Sequence, residues 1–215
     1  MNTEYNLKLV TPPVIEPLTL QEAQAYLRVE DITDDEENSY IQTLITAARE
    51  WCETYQHRAY ITQTWEMSLK EFPCAREDSL NNYHIPNIIE IPKGNLQTIN
   101  SINYKDIYGT EFNLVENVDY IASNSGILGK ICPPYGTIFP YGPLWPLDPI
   151  IINFTCGYGD NATKVPQKVK QAMFMLISHW YDNRSIISEL RSVDVTKEMA
   201  FAVTSLLKMD RITIL

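Results

Sequence analysis

The stretch Ile150–Trp180, IIINFTCGYGDNATKVPQKVKQAMFMLISHW, joins the clearest strand of the chain to one of its clearest helices. Its opening run, Ile150–Cys156, is apolar and β-branched almost without a break, which is typical of a strand. Gly157-Tyr158-Gly159-Asp160 predicts a tight turn, because glycine reaches positive φ at little cost. Val165-Pro166 opens the helix, since proline is tolerated in a first helical turn. The chain therefore changes from sheet to helix within this stretch.

Helices are predicted on both sides of the middle of the chain. Apolar residues recur at spacings of three and four over about Asp35–Gln56, and acidic residues at its start favour the positive end of the helix dipole. Thr19 and Glu22 have the spacing of a capping box before a helix over Leu20–Arg28. A short helix over about Lys197–Lys208 ends the pattern.

The middle of the chain is predicted to form antiparallel strands, because apolar and polar residues alternate there. Glu71–Pro86 is predicted to be irregular and Pro133–Pro149 to be a loop. The expected strands are Thr62–Leu69, Ile88–Ile91, Thr98–Tyr104 with its hairpin partner Phe112–Val115, and the weaker Tyr120–Ile121 and Gly126–Ile131. The prediction is an α+β fold with a helical core from both chain ends, residues 1–61 and 157–215, around an antiparallel β-module, residues 62–156.

Composition and charge exclude several classes of protein. The 215 residues are 45% apolar and 20% charged, which indicates an ordered globular protein. The net charge of −10 disfavours duplex DNA as a main ligand, although an acidic channel would let DNA pass without sticking. No apolar run is long enough for a membrane span and no signal peptide is recognised, so we expect a cytoplasmic protein with reduced cysteines.

No sequence motif indicates an enzyme, a cofactor or a metal. Neither phosphate-loop pattern occurs around Gly157–Asp160, and the acidic run Asp34–Glu37 lacks the ligand spacing of a calcium loop. His57, His84 and His179 are scattered, and we interpret them as structural residues. The expectation is therefore a protein that is not an enzyme, with no cofactor and no metal.

An aromatic cluster is the most informative feature of the Pro133–Pro149 loop. It comprises Tyr135, Phe139, Tyr141 and Trp145, interleaved with prolines. One interpretation is a loop folded against the β-module. The other is a protein-contact surface, because aromatic residues concentrate in interface cores.

Three longer segments, taken in order, resemble the phage head–tail connector family, the adaptors that join the portal to the tail-side assembly. Glu16–Arg28 reads EPLTLQEAQAYLR, similar to the family's EPLTLEEAKAHLR. Tyr40–Trp65 and Phe154–Arg184 are similar to the family's YIxxLIxAAREY…ITQTW and AGYGD…VP…HWYxNR patterns, with Gln56-His57 replacing its usual Thr-Gly. Phe201–Arg211 resembles its closing short helix, and the likeness is weakest across residues 73–92 and 133–149.

This resemblance implies an architectural role in the virion neck, after assembly in the host cytoplasm. Copies would form a ring, taken to be a dodecamer, which binds the portal protein, extends the DNA channel and receives a tail-side completion protein. DNA would only pass through, and no membrane would be involved. The expected contact residues are Trp145 and Tyr141 in the loop, and Leu206, Leu207 and Arg211 near the end of the chain.

Two other functions are considered beside the connector. One is a different neck or tail-completion protein, which the position of the gene beside portal and capsid genes would distinguish. The other is a small enzyme, which would require ionisable groups that converge in a pocket, for example two of the three histidines.

Overall fold

The computed structural model describes residues 5–29, 34–73, 76–78, 83–85, 87–184 and 192–213, with the side chains of 76–78, 83–85 and 192–198 outside the description. The fold is α+β, as predicted, with 33% helix and 29% strand. The helices are α1 (Leu20–Leu27), α2 (Asp35–Gln56), α3 (Gln167–Asp182) and α4 (Ser192–Lys208). The strands are β1 (Tyr5–Thr11), β2 (Gln63–Leu69), β3 (Arg76–Asp78), β4 (Tyr83–Ile85), β5 (Ile89–Ile91), β6 (Leu96–Lys105), β7 (Glu111–Leu114), β8 (Ile121–Ser123), β9 (Gly129–Cys132) and β10 (Ile150–Cys156).

The chain divides into two compact units. One, the helical unit, comprises Pro13–Ile61 and Tyr158–Thr213. The other, the sheet unit, comprises Thr62–Gly157 together with β1. Each unit therefore draws on segments that are distant in sequence.

The main sheet of the sheet unit has five strands within the described residues, in the order β1-β2-β10-β6-β7, and every neighbouring pair is antiparallel. Side chains line up across it in rows, because opposite residues of paired strands share a face. One row contains Tyr5, Leu69, Ile150, Tyr104 and Phe112, and the next contains Leu7, Met67, Ile152, Ile102 and Leu114. The central members of these rows are fully buried, so they form the core of the unit.

Strand β1 is not among the strands predicted from the sequence. Tyr5–Thr11 pairs with β2 at one edge of the main sheet, so it lies in the sheet unit and not in the predicted helical part, residues 1–61. Tyr5–Thr11 becomes a strand because it pairs with β2, which is distant in sequence. Leu7 and Leu9 alternate with Asn6 and Lys8, as a half-buried edge strand requires. Two smaller pieces of sheet complete the unit, β5-β9-β8 and the hairpin β3-β4, the latter within the predicted irregular stretch.

The helical unit has its own apolar core, which α1, α2, α3 and α4 build together. The predicted capping box is present, since Thr19 accepts from the Glu22 amide and Glu22 accepts from the Thr19 amide. Helix α2 has the predicted bounds and ends at His57, which takes a left-handed conformation with φ 55°. The core of the helical unit includes Ile41, Leu44, Ile45, Ala48, Cys52, Val169, Ala172, Met173, Leu176, Ile177, Val203 and Leu207.

Helix α4 begins at Ser192, five residues before the predicted start at Lys197. Residues 192–196 are therefore helical, although the predicted helix does not include them. Residues 185–191 lie outside the described residues, as do 30–33 of the acidic turn before α2.

Candidate assembly surface

The Pro133–Pro149 loop is anchored to the sheet unit through aromatic stacking. Phe139 is 4% exposed and stacks on Phe72, with ring centroids 5.0 Å apart. Phe72 meets the edge of Tyr104 at 5.9 Å, and Tyr104 stacks on Phe112 of the edge strand β7 at 5.1 Å. The loop therefore does fold against the β-module, which is one of the two interpretations of the cluster.

Trp145 is held by the hairpin turn between β6 and β7. Its amide donates to the carbonyl of Lys105 at 3.2 Å, and the Lys105 amide donates to the carbonyl of Pro149 at 2.8 Å. The indole lies so close to Gly109 that a Cβ there would be 3.3 Å from its Cζ3 atom. Trp145 keeps a partly exposed face, so it is both an anchor and a surface residue.

The rest of the loop presents apolar side chains to solvent. Tyr141 is 86% exposed, and Tyr135, Ile138 and Leu147 are also exposed. Tyr108, in the adjoining hairpin turn, is exposed as well. Clusters of exposed apolar side chains of this kind commonly mark interaction sites, so the contact-surface interpretation of Tyr141 and Trp145 is compatible with the structure.

A cavity of about 510 Å³ lies beside β7, at the edge of the main sheet. Its lining includes Phe112 and Leu114, which share one face of the sheet. Apart from one carboxylate, its lining is uncharged. The lining residues are Tyr104, Phe112, Asn113, Leu114, Asp119, Ile138, Phe139, Pro140 and Tyr141. Burial raises the pKa of the hydroxyl of Tyr104, which is one of the lining residues.

The three candidates near the end of the chain have different environments in the helical unit. Leu207 is fully buried in the core, so its side chain is not available to a neighbour in this conformation. Leu206 is partly buried and packs against that core. Arg211 lies over the Tyr55 ring at 4.9 Å, which leaves its guanidinium at the surface. Sequence periodicity alone does not distinguish these positions, because both leucines lie on the apolar side of α4.

A buried polar network supports this end of the helical unit. Arg49, only 6% exposed, donates to Glu16 at 2.8 Å and to Glu53 at 2.9 Å. The other oxygen of Glu53 accepts from the Tyr60 amide at 2.8 Å. Burial raises the pKa of the neighbouring Cys52 thiol to about 12, so this cysteine is an inert core residue.

A second, exposed charge pair joins the start of α2 to the residues after α3. Arg184 binds Glu37 and lies over the rings of both Tyr40 and Tyr181 at 4.5 Å. Hydrogen bonding from Arg184 lowers the pKa of the Glu37 carboxyl, and hydrogen bonding to Glu37 raises the pKa of the Tyr181 hydroxyl. The acidic start of α2, which favours the positive end of the helix dipole, thus also has a specific partner.

The two glycines and two of the three histidines that were considered for chemistry lie in a turn and at helix ends. Gly157 and Gly159 have φ of 129° and 138°, as the predicted turn requires. His57 is the C-cap of α2, and His179 lies in the last turn of α3. The side chain of His84 lies outside the described residues. Among the described residues, no three metal-ligating side chains lie together and no helix has the length and apolarity of a membrane span.

Comparison with known proteins gives a likeness in fold. No protein-family model matches the chain, and no curated protein matches it. A chain in the neck of an empty gene transfer agent (GTA) particle, computed with C6 symmetry, is 20% identical with a TM-score of 0.73, and the match covers 98% of this chain and 97% of that one. A chain in the virion of the native GTA particle has 19% identity and a TM-score of 0.68, covering 97% of each chain. A chain in the native GTA neck, computed with C12 symmetry, has 20% identity and a TM-score of 0.64, covering 98% of this chain and 97% of that one. The chain therefore has, over at least 97% of its length, the fold of these particle proteins.

Proposed function

We propose that this chain is a structural protein of the neck of a phage-type particle, a head–tail connector that is not an enzyme. The observation that carries the proposal is the match in fold over 98% of the chain to a protein in a GTA particle neck. A match over 98% of the chain includes both units, so it supports a shared architecture and not only a shared module.

Copies of the chain would form a ring on the portal protein and extend the DNA channel. The C6 and C12 symmetries with which the related necks were computed support a ring, and twelve copies agree with the dodecamer that the family resemblance implies. The net charge of −10 supports a channel that DNA traverses without binding. The site of this function would be the virion neck, after assembly in the host cytoplasm.

The contacts within such a ring require two different faces on each copy, because a cyclic ring uses heterologous interfaces. We propose Tyr141 and Trp145 as one set of contact residues, since they lie on the exposed aromatic loop. Leu206 and Arg211 are proposed as contacts to the portal or a neighbour. Leu207 is left out, because it is buried in the helical unit.

A different neck or tail-completion protein is the second candidate. The solved relatives are described by their place in the neck or virion, and that place is common to both candidates. A small enzyme has no supporting observation, since the cavity of the sheet unit has a single carboxylate, that of Asp119, in its described lining.

The test is assembly of the full chain with the portal protein encoded beside it. Native mass spectrometry and electron microscopy should find a ring of twelve copies seated on the portal. A chain that stays monomeric with that portal, and that is absent from the necks of particles produced by the same element, would contradict the proposal. Binding to a tail-side protein but not to the portal would favour the second candidate.

A further inference from the structure

The main sheet of the sheet unit ends in two strands that no other described strand covers, β1 on one side and β7 on the other. Such edges carry backbone N–H and C=O groups with no ladder partner, and they are sites where a further strand can add. Because the two edges belong to different strands, an edge of one copy can meet the opposite edge of the next. This is the heterologous geometry that closes a ring.

The outer edge of β7 is available for pairing over Glu111–Asn113. The Asp106 amide donates to the carbonyl of Thr110 at 3.0 Å, which fixes the phase of the β6–β7 ladder. Alternation in an antiparallel pair then directs the backbone groups of Phe112 towards β6, and those of Glu111 and Asn113 outwards. The edge is closed beyond this point, where the Val115 amide donates to the Asp119 side chain at 2.8 Å.

The cavity beside β7 lies where the side chains of an added strand would point. Its lining includes Phe112 and Leu114, which share one face of the sheet, and the loop residues Ile138, Phe139 and Tyr141. A strand laid along β7 would direct alternate side chains into this space, because successive side chains of a strand point to opposite faces. An apolar residue at every second position is therefore what the cavity fits.

Strand β1 has this pattern and a matching charge. Leu7 and Leu9 share the face that continues the buried rows of the sheet, and Leu9 is 42% exposed at the free edge. The only charged residue of β1 is Lys8, which lies on the other face, whereas the only charged residue of β7 is Glu111. Glu111 also lies on the face opposite the cavity, beside Asn103 and Lys105.

We infer that β1 of one copy adds to the β7 edge of the next, so that Leu7 and Leu9 enter the cavity and Lys8 lies beside Glu111. This inference rests on the proposed ring. In the main sheet β1 and β7 run in the same direction, because four antiparallel pairings separate them. Neighbouring copies in a ring of twelve differ by a rotation of about 30°, which changes the direction of a strand but does not reverse its sense. The inferred pair between copies is therefore parallel.

The test is a disulfide between copies. Directly opposite residues of paired strands are close enough for a disulfide bond. Lys8→Cys combined with Glu111→Cys should give a ladder of linked copies on non-reducing gels once the protein has assembled, and each single variant should not. Two matched pairs are controls. Asn6→Cys with Glu111→Cys is two residues out of register, and Lys8→Cys with Ser123→Cys uses the edge strand β8 of the smaller sheet.

A charge exchange gives an independent readout that needs no cysteine. Lys8→Glu and Glu111→Lys should each cause loss of the ring in native mass spectrometry, and the two changes combined should restore it. Since Lys8 lies opposite Glu66 within the chain, the melting temperature of each variant monitors folding. If the Lys8→Cys, Glu111→Cys variant forms a ring but gives no cross-link, the inference is overturned and the proposed function still stands. The same holds if the Lys8→Cys, Ser123→Cys pair cross-links with equal yield. Absence of any ring, with or without the portal, would overturn both.

Discussion

Gln56 and Leu207 are joined by a buried hydrogen bond, in which Nε2 of the glutamine donates to the leucine carbonyl at 2.7 Å. The same glutamine accepts from the Tyr60 hydroxyl through its Oε1 atom at 2.7 Å. Its backbone carbonyl accepts from the amide of Ile212 at 3.0 Å. One residue at the end of α2 thus fixes the end of α4 and the segment that follows it.

Replacing Gln56 by alanine should destabilise the helical unit by about 2 kcal/mol, because two buried polar groups would each lose a hydrogen bond. Those groups are the Leu207 carbonyl and the Tyr60 hydroxyl. Denaturant unfolding of the variant and the wild type measures the difference. Gln42→Ala is the matched control, since Gln42 is exposed on the same helix, and it should change the free energy of unfolding by less than about 0.5 kcal/mol. Equal effects of the two variants would contradict the structural role of Gln56.

Arg49→Ala should have a larger effect, about 3–5 kcal/mol, because it removes a buried cation that binds the carboxylates of both Glu16 and Glu53. The control is Glu50→Ala, whose side chain is 66% exposed and which should be nearly neutral. A double-mutant cycle with Glu53→Gln separates the pair from the rest of the network. A coupling free energy near zero would show that Arg49 stabilises the unit by packing alone.

Much of the fold could be predicted from local sequence patterns. Helix α2 has the predicted bounds Asp35–Gln56, because an acidic first turn and a long apolar stripe define it without help from other segments. The β6–β7 hairpin is also confirmed, with Tyr104 opposite Phe112. Each of these elements carries its own signal within a few residues.

Features that depend on distant segments could not be predicted. Strand β1 becomes a strand through its pairing with β2, and its alternation over Tyr5–Thr11 is too short to be decisive alone. Arg49 and Glu53 have the spacing of an ordinary surface pair on a helix, and only the folded chain buries them. The aromatic cluster left two interpretations open, a loop folded against the β-module and a contact surface, because the sequence could not distinguish the buried Phe139 from the exposed Tyr141.

The Glu37–Arg184 pair should make stability depend on pH in the acidic range. The pKa of Glu37 in the folded chain lies below its ordinary value of 4.5, so the charged form is favoured by folding. This contribution is present above the ordinary pKa and is lost as the pH falls through the lowered one. The melting temperature of the wild type should therefore exceed that of Glu37→Gln near neutral pH, and the gap should narrow as the pH falls below 4.5 and through the lowered pKa.

Glu36→Gln is the matched control for this titration, since Glu36 is the exposed neighbour in the same helical turn. It removes one carboxylate of the acidic run without removing the partner of Arg184. Its melting temperature should follow that of the wild type more closely at every pH. A gap for Glu37→Gln that stays constant down to acidic pH would mean that the pair contributes no charge-dependent stability.

Tyr141 and Phe139 lie two residues apart on the same loop, and truncating them should have different effects, one on assembly and the other on stability. Phe139→Ala should cost about 3–5 kcal/mol of unfolding free energy, because it empties a buried stack on Phe72. Tyr141→Ala should leave the melting temperature unchanged, since its ring is 86% exposed, and should weaken assembly on the portal. Ile127→Ala, at another exposed apolar site of the sheet unit, controls for loss of surface hydrophobicity. If Tyr141→Ala and Ile127→Ala assemble equally well, then the exposed aromatic loop is not a contact surface, and the role of the cluster is limited to the anchoring that Phe139 provides.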